Sequence, residues 1–216
     1  MIPRSLLMID ESNSLLHVMY PQIDKSCPLC KNPYDTISHV ANGCMQFRNN
    51  YTARHNRIVN ILQTEIKKYN KSFVIHREKN VSSDLIVNDD EIQFANIFQD
   101  IQSRKPDLFL IDYDNMKCFI LEVSCPFDAF IEDCYNTKFQ NYQLLCDLLT
   151  VCGFDCKILV FVIGSLGHVH YRFRSGLKKL GVPNRVAKAI TKYASVSVMI
   201  GTNIVWKLRY KLTRGD

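Results

Sequence analysis

Residues 104–124 read RKPDLFLIDYDNMKCFILEVS, and this stretch decides the fold. Leu108 to Asp112 and Phe119 to Val123 are apolar-rich runs of strand length, with the turn-forming pair Asp114-Asn115 between them. That pattern predicts a β-hairpin. Asp107 precedes the first strand and Glu122 lies near the end of the second, so the hairpin brings two carboxylates together. Paired carboxylates on adjacent strand ends suit Mg²⁺ or Mn²⁺, and a nearby lysine can orient a water or stabilise charge on a scissile phosphate. Glu122 sits between Leu121 and Val123, where an unpaired buried charge would be costly without a cation. The plainer alternative is a turn-capping Asp107 and an edge-strand Glu122.

Working outward, Asp128 follows Pro126 and is a good N-cap for a helix expected to run to about Val151. Lys138 and Tyr142 lie four residues apart on it and share one face. Lys138 is the candidate lysine, the alternative being a solvated helix lysine. Tyr142 would position a phosphate or Lys138 itself. Lys157 to Gly164 is a continuous apolar run, predicted as a buried strand parallel to a hairpin strand after the helical crossover. Upstream, Phe73 to Arg77 reads as a first strand, and 84–102 as a loop with a weak helix. The expected class is α/β, a mixed β-sheet flanked by helices.

The second feature is CPLCKNPYDTISHVANGC, in which Cys27, Cys30, His39 and Cys44 have the spacing of a tetrahedral Zn²⁺ knuckle. Pro28, Pro33 and Gly43 suit its turns. Four protein ligands leave no open position, which predicts a structural zinc. From Asn56 to Tyr69, Ile58, Val59, Ile61, Leu62 and Ile66 fall at helical spacing. Glu65 on that helix is either a third acid turned toward the carboxylate pair or a solvated carboxylate. His55 either stacks on nucleic acid, supports the knuckle or is a structural histidine. Cys118, Cys125, Cys134, Cys146, Cys152 and Cys156 have no ligand spacing and read as core thiols.

Charge is uneven along the 216 residues: 1–156 carry a net −5 and 157–216 a net +11. A basic region of this kind suits a polyanion, because phosphate neutralisation releases condensed counterions. Arg185, Lys188 and Lys192 share one face of the helix expected after Pro183 and, with Arg104 and Lys105, are the candidate DNA contacts. His168 and His170 alternate around Val169 as on a short strand, next to Tyr171, Arg172 and Arg174. No apolar run reaches the ~20 residues needed to span a bilayer, and Asp10 and Glu11 with no long apolar run near them argue against a secretory signal, so a soluble protein of a reducing compartment is expected. The domain reading is a lead-in segment 1–26, whose structure stays open, a CCHC knuckle 27–56 and a nuclease-type domain 57–216.

Pro106-Asp107, then Glu122 in an apolar strand, then a lysine, resembles the PD-(D/E)xK nuclease superfamily, with a restriction-endonuclease-like core. The third motif position departs from that pattern, because Ser124 stands where the lysine of E-x-K would be and Lys138 would replace it from the next helix. Together with the CCHC knuckle, the run Arg54-His55-Asn56, Leu180-Gly181-Val182-Pro183 and Ile204-Val205-Trp206, residues 27–210 resemble the C-terminal part of site-specific non-LTR retrotransposon polyproteins. The resemblance implies a nuclear endonuclease that nicks target DNA, exposing a 3′-OH that primes reverse transcription of the element's RNA. Mg²⁺ or Mn²⁺ would be held by Asp107 and Glu122, with the Val123 carbonyl as a further oxygen. The reverse transcriptase domain is expected in the full-length element and outside this chain. The alternative is a catalytically inactive module that binds nucleic acid through the knuckle and the basic C-terminal region.

Overall fold

The structure, a computed structural model, describes residues 12–81 and 105–214. The loop expected over 84–102 and the candidate contact Arg104 lie outside the described residues. The chain runs α1 (Asn13–Met19), α2 (Arg48–Tyr69), β1 (Val74–Arg77), β2 (Leu108–Asp112), β3 (Lys117–Ser124), α3 (Ile131–Asn141), α4 (Gln143–Val151), β4 (Asp155–Val162), α5 (Arg172–Lys179) and α6 (Asn184–Arg214). The four strands form one mixed sheet in sequence order, antiparallel at β1/β2 and β2/β3 and parallel at β3/β4.

The hairpin forms where the sequence asks for it. Asp112 closes β2 by accepting from the Asn115 backbone N–H at 3.1 Å and its side-chain amide at 2.9 Å, and this turn sets Leu108 opposite Leu121. All of β2 and most of β3 are buried, which is why both read as continuous apolar runs and not as alternating patterns. One face of the sheet, carrying Leu108, Leu110, Phe119, Leu121 and Val123, packs on α2, α5 and α6. The other, with Phe109, Ile111, Cys118 and Ile120, packs on α3 and α4. The result is a three-layer α/β/α arrangement. No helix among the described residues is long and apolar enough to cross a membrane.

Several elements differ from the sequence expectation. The helix predicted from Asn56 begins at Arg48 and runs unbroken through the expected 56/57 boundary. The single helix predicted from Asp128 is a 3₁₀ turn, then α3 and α4, with the break at Tyr142. Asp128 does not cap that helix, because its carboxylate instead accepts from the Leu166 and His168 backbone N–H groups at 2.6 and 3.0 Å. Gly164 permits this approach, since a Cβ there would overlap the Asp128 carboxyl group. The helix after Pro183 continues through Ile204-Val205-Trp206 as a single 31-residue element. His170 is buried, its ring stacked on Tyr135 at 4.3 Å between centroids, and Val169 makes only an isolated bridge to Ile163.

Candidate functional site

The Cys/His segment closes into a compact cluster. Cys27 and Cys30 come from a tight loop in which Lys31 takes φ 61°, His39 opens a π-turn over His39–Gly43, and Cys44 follows it. The four ligand atoms all lie within 4.8 Å of one another, with Cys27 Sγ 4.0 Å from Cys44 Sγ and Cys30 Sγ 3.2 Å from His39 Nε2. A tetrahedral zinc with ~2.3 Å Zn–S bonds needs ligand atoms roughly 3.8 Å apart, so the cluster could bind zinc. All nine cysteines are thiols, none bridged. Burial lowers the His39 pKa, favouring the neutral imidazole that a metal takes as ligand. Burial also pushes the Cys44 thiol up to about 12, a penalty that a bound cation offsets by holding the thiolate.

Arg209 of α6 is buried beside this cluster. It donates Nη2 to the Asp35 carboxylate and lies with Nη1 3.9 Å from Cys27 Sγ. Three thiolates on a divalent cation leave one net negative charge, and Asp35 adds another. A guanidinium between them supplies the compensating charge. Asp35 also accepts from the Asn13 backbone N–H at 2.8 Å, so α1, whose structure the sequence left open, is anchored to the same point.

The carboxylate site forms at the C-terminal end of β3. By strand alternation Glu122 and Ser124 face α3. Two successive turns of α3 and the residue that caps it meet them: Cys134 donates to Ser124 Oγ at 3.0 Å, Lys138 Nζ to Glu122 Oε1 at 2.5 Å, and the Tyr142 hydroxyl to Glu122 Oε2 at 2.9 Å. A four-residue helical step of ~6 Å matches a two-residue strand step of ~6.7 Å, so residues 134, 138 and 142 register against 124 and 122. Lys138 thus reaches Glu122 from the helix, while Ser124 is occupied by a thiol.

Glu122 is 5% exposed. Burial and then the nearby Asp107 charge raise its pKa, against the pull of Lys138 and Tyr142. For Lys138 burial acts to lower the pKa, but the hydrogen bond and charge of Glu122 outweigh it and the group is held more firmly as an ammonium. Burial and the neighbouring Asp107 charge together make the ionised form of Glu122 costly.

Asp107 Oδ2 accepts from the Val123 backbone N–H at 2.7 Å and lies 3.1 Å from His55 Nε2, which is also 3.2 Å from the Val123 carbonyl. His55 Nδ1 faces Asn56 Oδ1 at 3.2 Å. Both ring nitrogens therefore face oxygen acceptors, and the hydrogen bond to Asp107 is the leading cause of a raised His55 pKa. An imidazolium fits this position best.

His55 belongs to the carboxylate site, whereas the sequence left it among stacking, knuckle-supporting and structural roles. The neighbouring Arg54, 3% exposed, donates to four oxygens. The available signal was that Arg54, Ile58 and Leu62 fall four apart, which puts a guanidinium in line with the apolar stripe of α2. Glu65 does not join the carboxylates. It pairs with Lys68 at 2.5 Å, and ten residues of helix, ~15 Å, separate it from His55. Lys105 is exposed, as are Arg185, Lys188 and Lys192. That α6 stripe lies on the layer opposite the one that supplies Lys138 and Tyr142.

No known protein family matches this chain, and no curated protein matches it.

Proposed function

We propose that this chain is a metal-dependent DNA endonuclease with a restriction-endonuclease-like core, the nicking part of a non-LTR retrotransposon polyprotein acting in the nucleus. The observation that carries this reading is the meeting of Asp107, Glu122, Lys138 and Tyr142 at one strand end, with Glu122 buried and its pKa raised. Asp107 and Glu122 would hold Mg²⁺ or Mn²⁺, with the Val123 carbonyl as a further oxygen ligand. The ion, when bound, supplies Lewis-acid stabilisation of a phosphoryl oxygen and a water of lowered pKa. Lys138 keeps its proton and offers positive charge to the phosphate as negative charge develops. Tyr142 fixes one Glu122 oxygen and leaves the other for exchange between Lys138 and a cation. His55 holds Asp107 against the Val123 backbone.

The chemistry of the product tests the reading. Cleavage of duplex DNA in Mg²⁺ is expected to leave a 3′-OH that a polymerase extends without prior phosphatase treatment. Ends that cannot be extended would contradict a role in priming reverse transcription.

A second reading, a nucleic-acid-binding module without catalysis, is favoured by Ser124 at the motif's lysine position and by its engagement with Cys134. Both readings use the basic face of α6. Alanine at Arg185, Lys188 and Lys192 together should reduce the salt slope of DNA affinity by about 2.7, at roughly 0.9 for each phosphate that a side chain no longer neutralises. A filter-binding series over salt concentration reads this, and an unchanged slope would remove the stripe from the interface.

A further inference from the structure

Arg54 and Asn42 join the Cys/His cluster to the strand end that carries the carboxylates. Arg54 donates Nη1 to Ala41 O at 3.1 Å and to Thr202 Oγ1 of α6 at 2.7 Å, and Nη2 to Asn42 Oδ1 and Cys125 O, both at 3.3 Å. Asn42 Nδ2 donates to the same Cys125 carbonyl at 2.7 Å. Ala41 and Asn42 sit in the π-turn between His39 and Cys44, so metal ligation on both sides would fix their backbone. Cys125 lies two residues beyond Val123, whose N–H and C=O engage Asp107 and His55.

The guanidinium has no carboxylate partner among the described residues. Burial lowers its pKa, and its Nε has no hydrogen-bond partner. A charge buried this way is costly for stability. It is also packed tightly: a Cβ at Gly201 of α6 would come within 2.9 Å of Arg54 Cγ. What the arrangement provides is geometry, since one planar fork holds the π-turn, α6 and the end of β3 at once. The contact crosses a cleft of about 290 Å³ lined by Asn42, Tyr51, Thr52, Arg54, His55 and Cys125. Nothing else on the cleft's rim forms a hydrogen bond from the π-turn to β3 among the described residues.

We infer that Arg54 and Asn42 are positioning residues through which the metal-loaded Cys/His segment clamps Cys125 and thereby orients Val123, His55 and Asp107. The consequence for cleavage rests on Asp107 being a cation ligand, as proposed above, whereas the mechanical coupling does not.

The test is residue-resolved amide hydrogen exchange on the full chain, with Mn²⁺-induced paramagnetic broadening of the Val123 signal as a second readout. Removing zinc with a chelator should speed exchange at the Val123 N–H about tenfold or more, while the Cys118 and Ile120 amides at the other end of β3 keep their protection. If the stripped protein unfolds as a whole, the zinc-loaded variants decide. Asn42→Ala should raise Val123 exchange and weaken Mn²⁺ binding by about fivefold or more, with zinc affinity held within about twofold of wild type. Arg54→Lys keeps the charge but loses the fork, and should behave like Asn42→Ala. Gln46→Ala, which among the described residues removes only a side-chain hydrogen bond to Leu29 O, should leave both readouts unchanged. Val123 protection indifferent to Asn42→Ala and Arg54→Lys would overturn the inference. A Val123 amide that responds to zinc while Mn²⁺ broadens nothing near Asp107 would uphold the coupling and sink the nuclease reading alone.

Discussion

Replacing Lys138 by methionine is expected to lower the nicking rate by about 10²–10³-fold, the scale on which one preorganised electrostatic donor contributes to a transition state. Divalent-ion affinity should stay the same or tighten. Lys138 Nζ lies 2.5 Å from Glu122 Oε1, so in the resting protein the ammonium occupies a carboxylate oxygen that a cation would otherwise contact. Removing it frees that oxygen but takes away the positive charge nearest the phosphate. Methionine keeps most of the aliphatic stem, which limits the loss of stability. That loss should stay near about 1–2 kcal/mol, below the range for a fully buried pair, because a third of the Lys138 side chain remains in water. Single-turnover nicking and Mn²⁺ calorimetry on the same preparation separate the two effects. A parallel fall in affinity and rate would make Lys138 a structural partner of Glu122, and an unchanged rate would remove it from the chemistry.

Withdrawing zinc is expected to produce the largest change in stability. Ligand binding to the native state alone contributes about 4 kcal/mol at a thousandfold excess over Kd, which corresponds to a fall in Tm of roughly 8–16 °C for a chain of this size. The loss should not be confined to residues 27–44. Without a cation, Cys27, Cys30, His39 and Cys44 lose their common centre, and Arg209 then balances only Asp35. Arg209 is buried on α6 and α1 hangs on Asp35, so the C-terminal third of α6 and α1 should loosen together. Calorimetric melting with and without chelator gives the shift, and restoration by one equivalent of Zn²⁺ gives its stoichiometry. A melting temperature indifferent to chelation would mean that the cluster holds no metal.

Much of this arrangement is legible in the sequence because it rests on local pattern. The hairpin follows from two apolar runs around Asp114-Asn115, and the knuckle from cysteine spacing. The approach of Lys138 and Tyr142 to one point follows from their four-residue separation. What the sequence hides is set by contacts across long stretches of chain. His55 and Asp107 are 52 residues apart and meet only because α2 packs across the sheet end. Arg54 falls in line with the apolar stripe of α2, but its partners on α6, the π-turn and Cys125 lie 12 to 148 residues away in sequence. The start of α2 is obscured by Arg48, Asn49 and Asn50, polar residues with no apolar period. The helix break at Tyr142 is likewise invisible locally; there the Tyr142 hydroxyl donates to Glu122, twenty residues away in sequence. Asp128 has the sequence context of a cap, and only the loop over 164–168 reveals that its oxygens are committed elsewhere.

The most direct measurement is conversion of supercoiled plasmid to the nicked form by zinc-loaded protein in Mg²⁺ or Mn²⁺, with Asp107→Ala and EDTA alongside. Metal-dependent nicking that Asp107→Ala abolishes, while the variant stays folded and keeps DNA affinity near wild type, is the predicted result. DNA binding without nicking in the wild-type protein, or nicking that survives the loss of Asp107, would contradict a cation-dependent nuclease at this strand end.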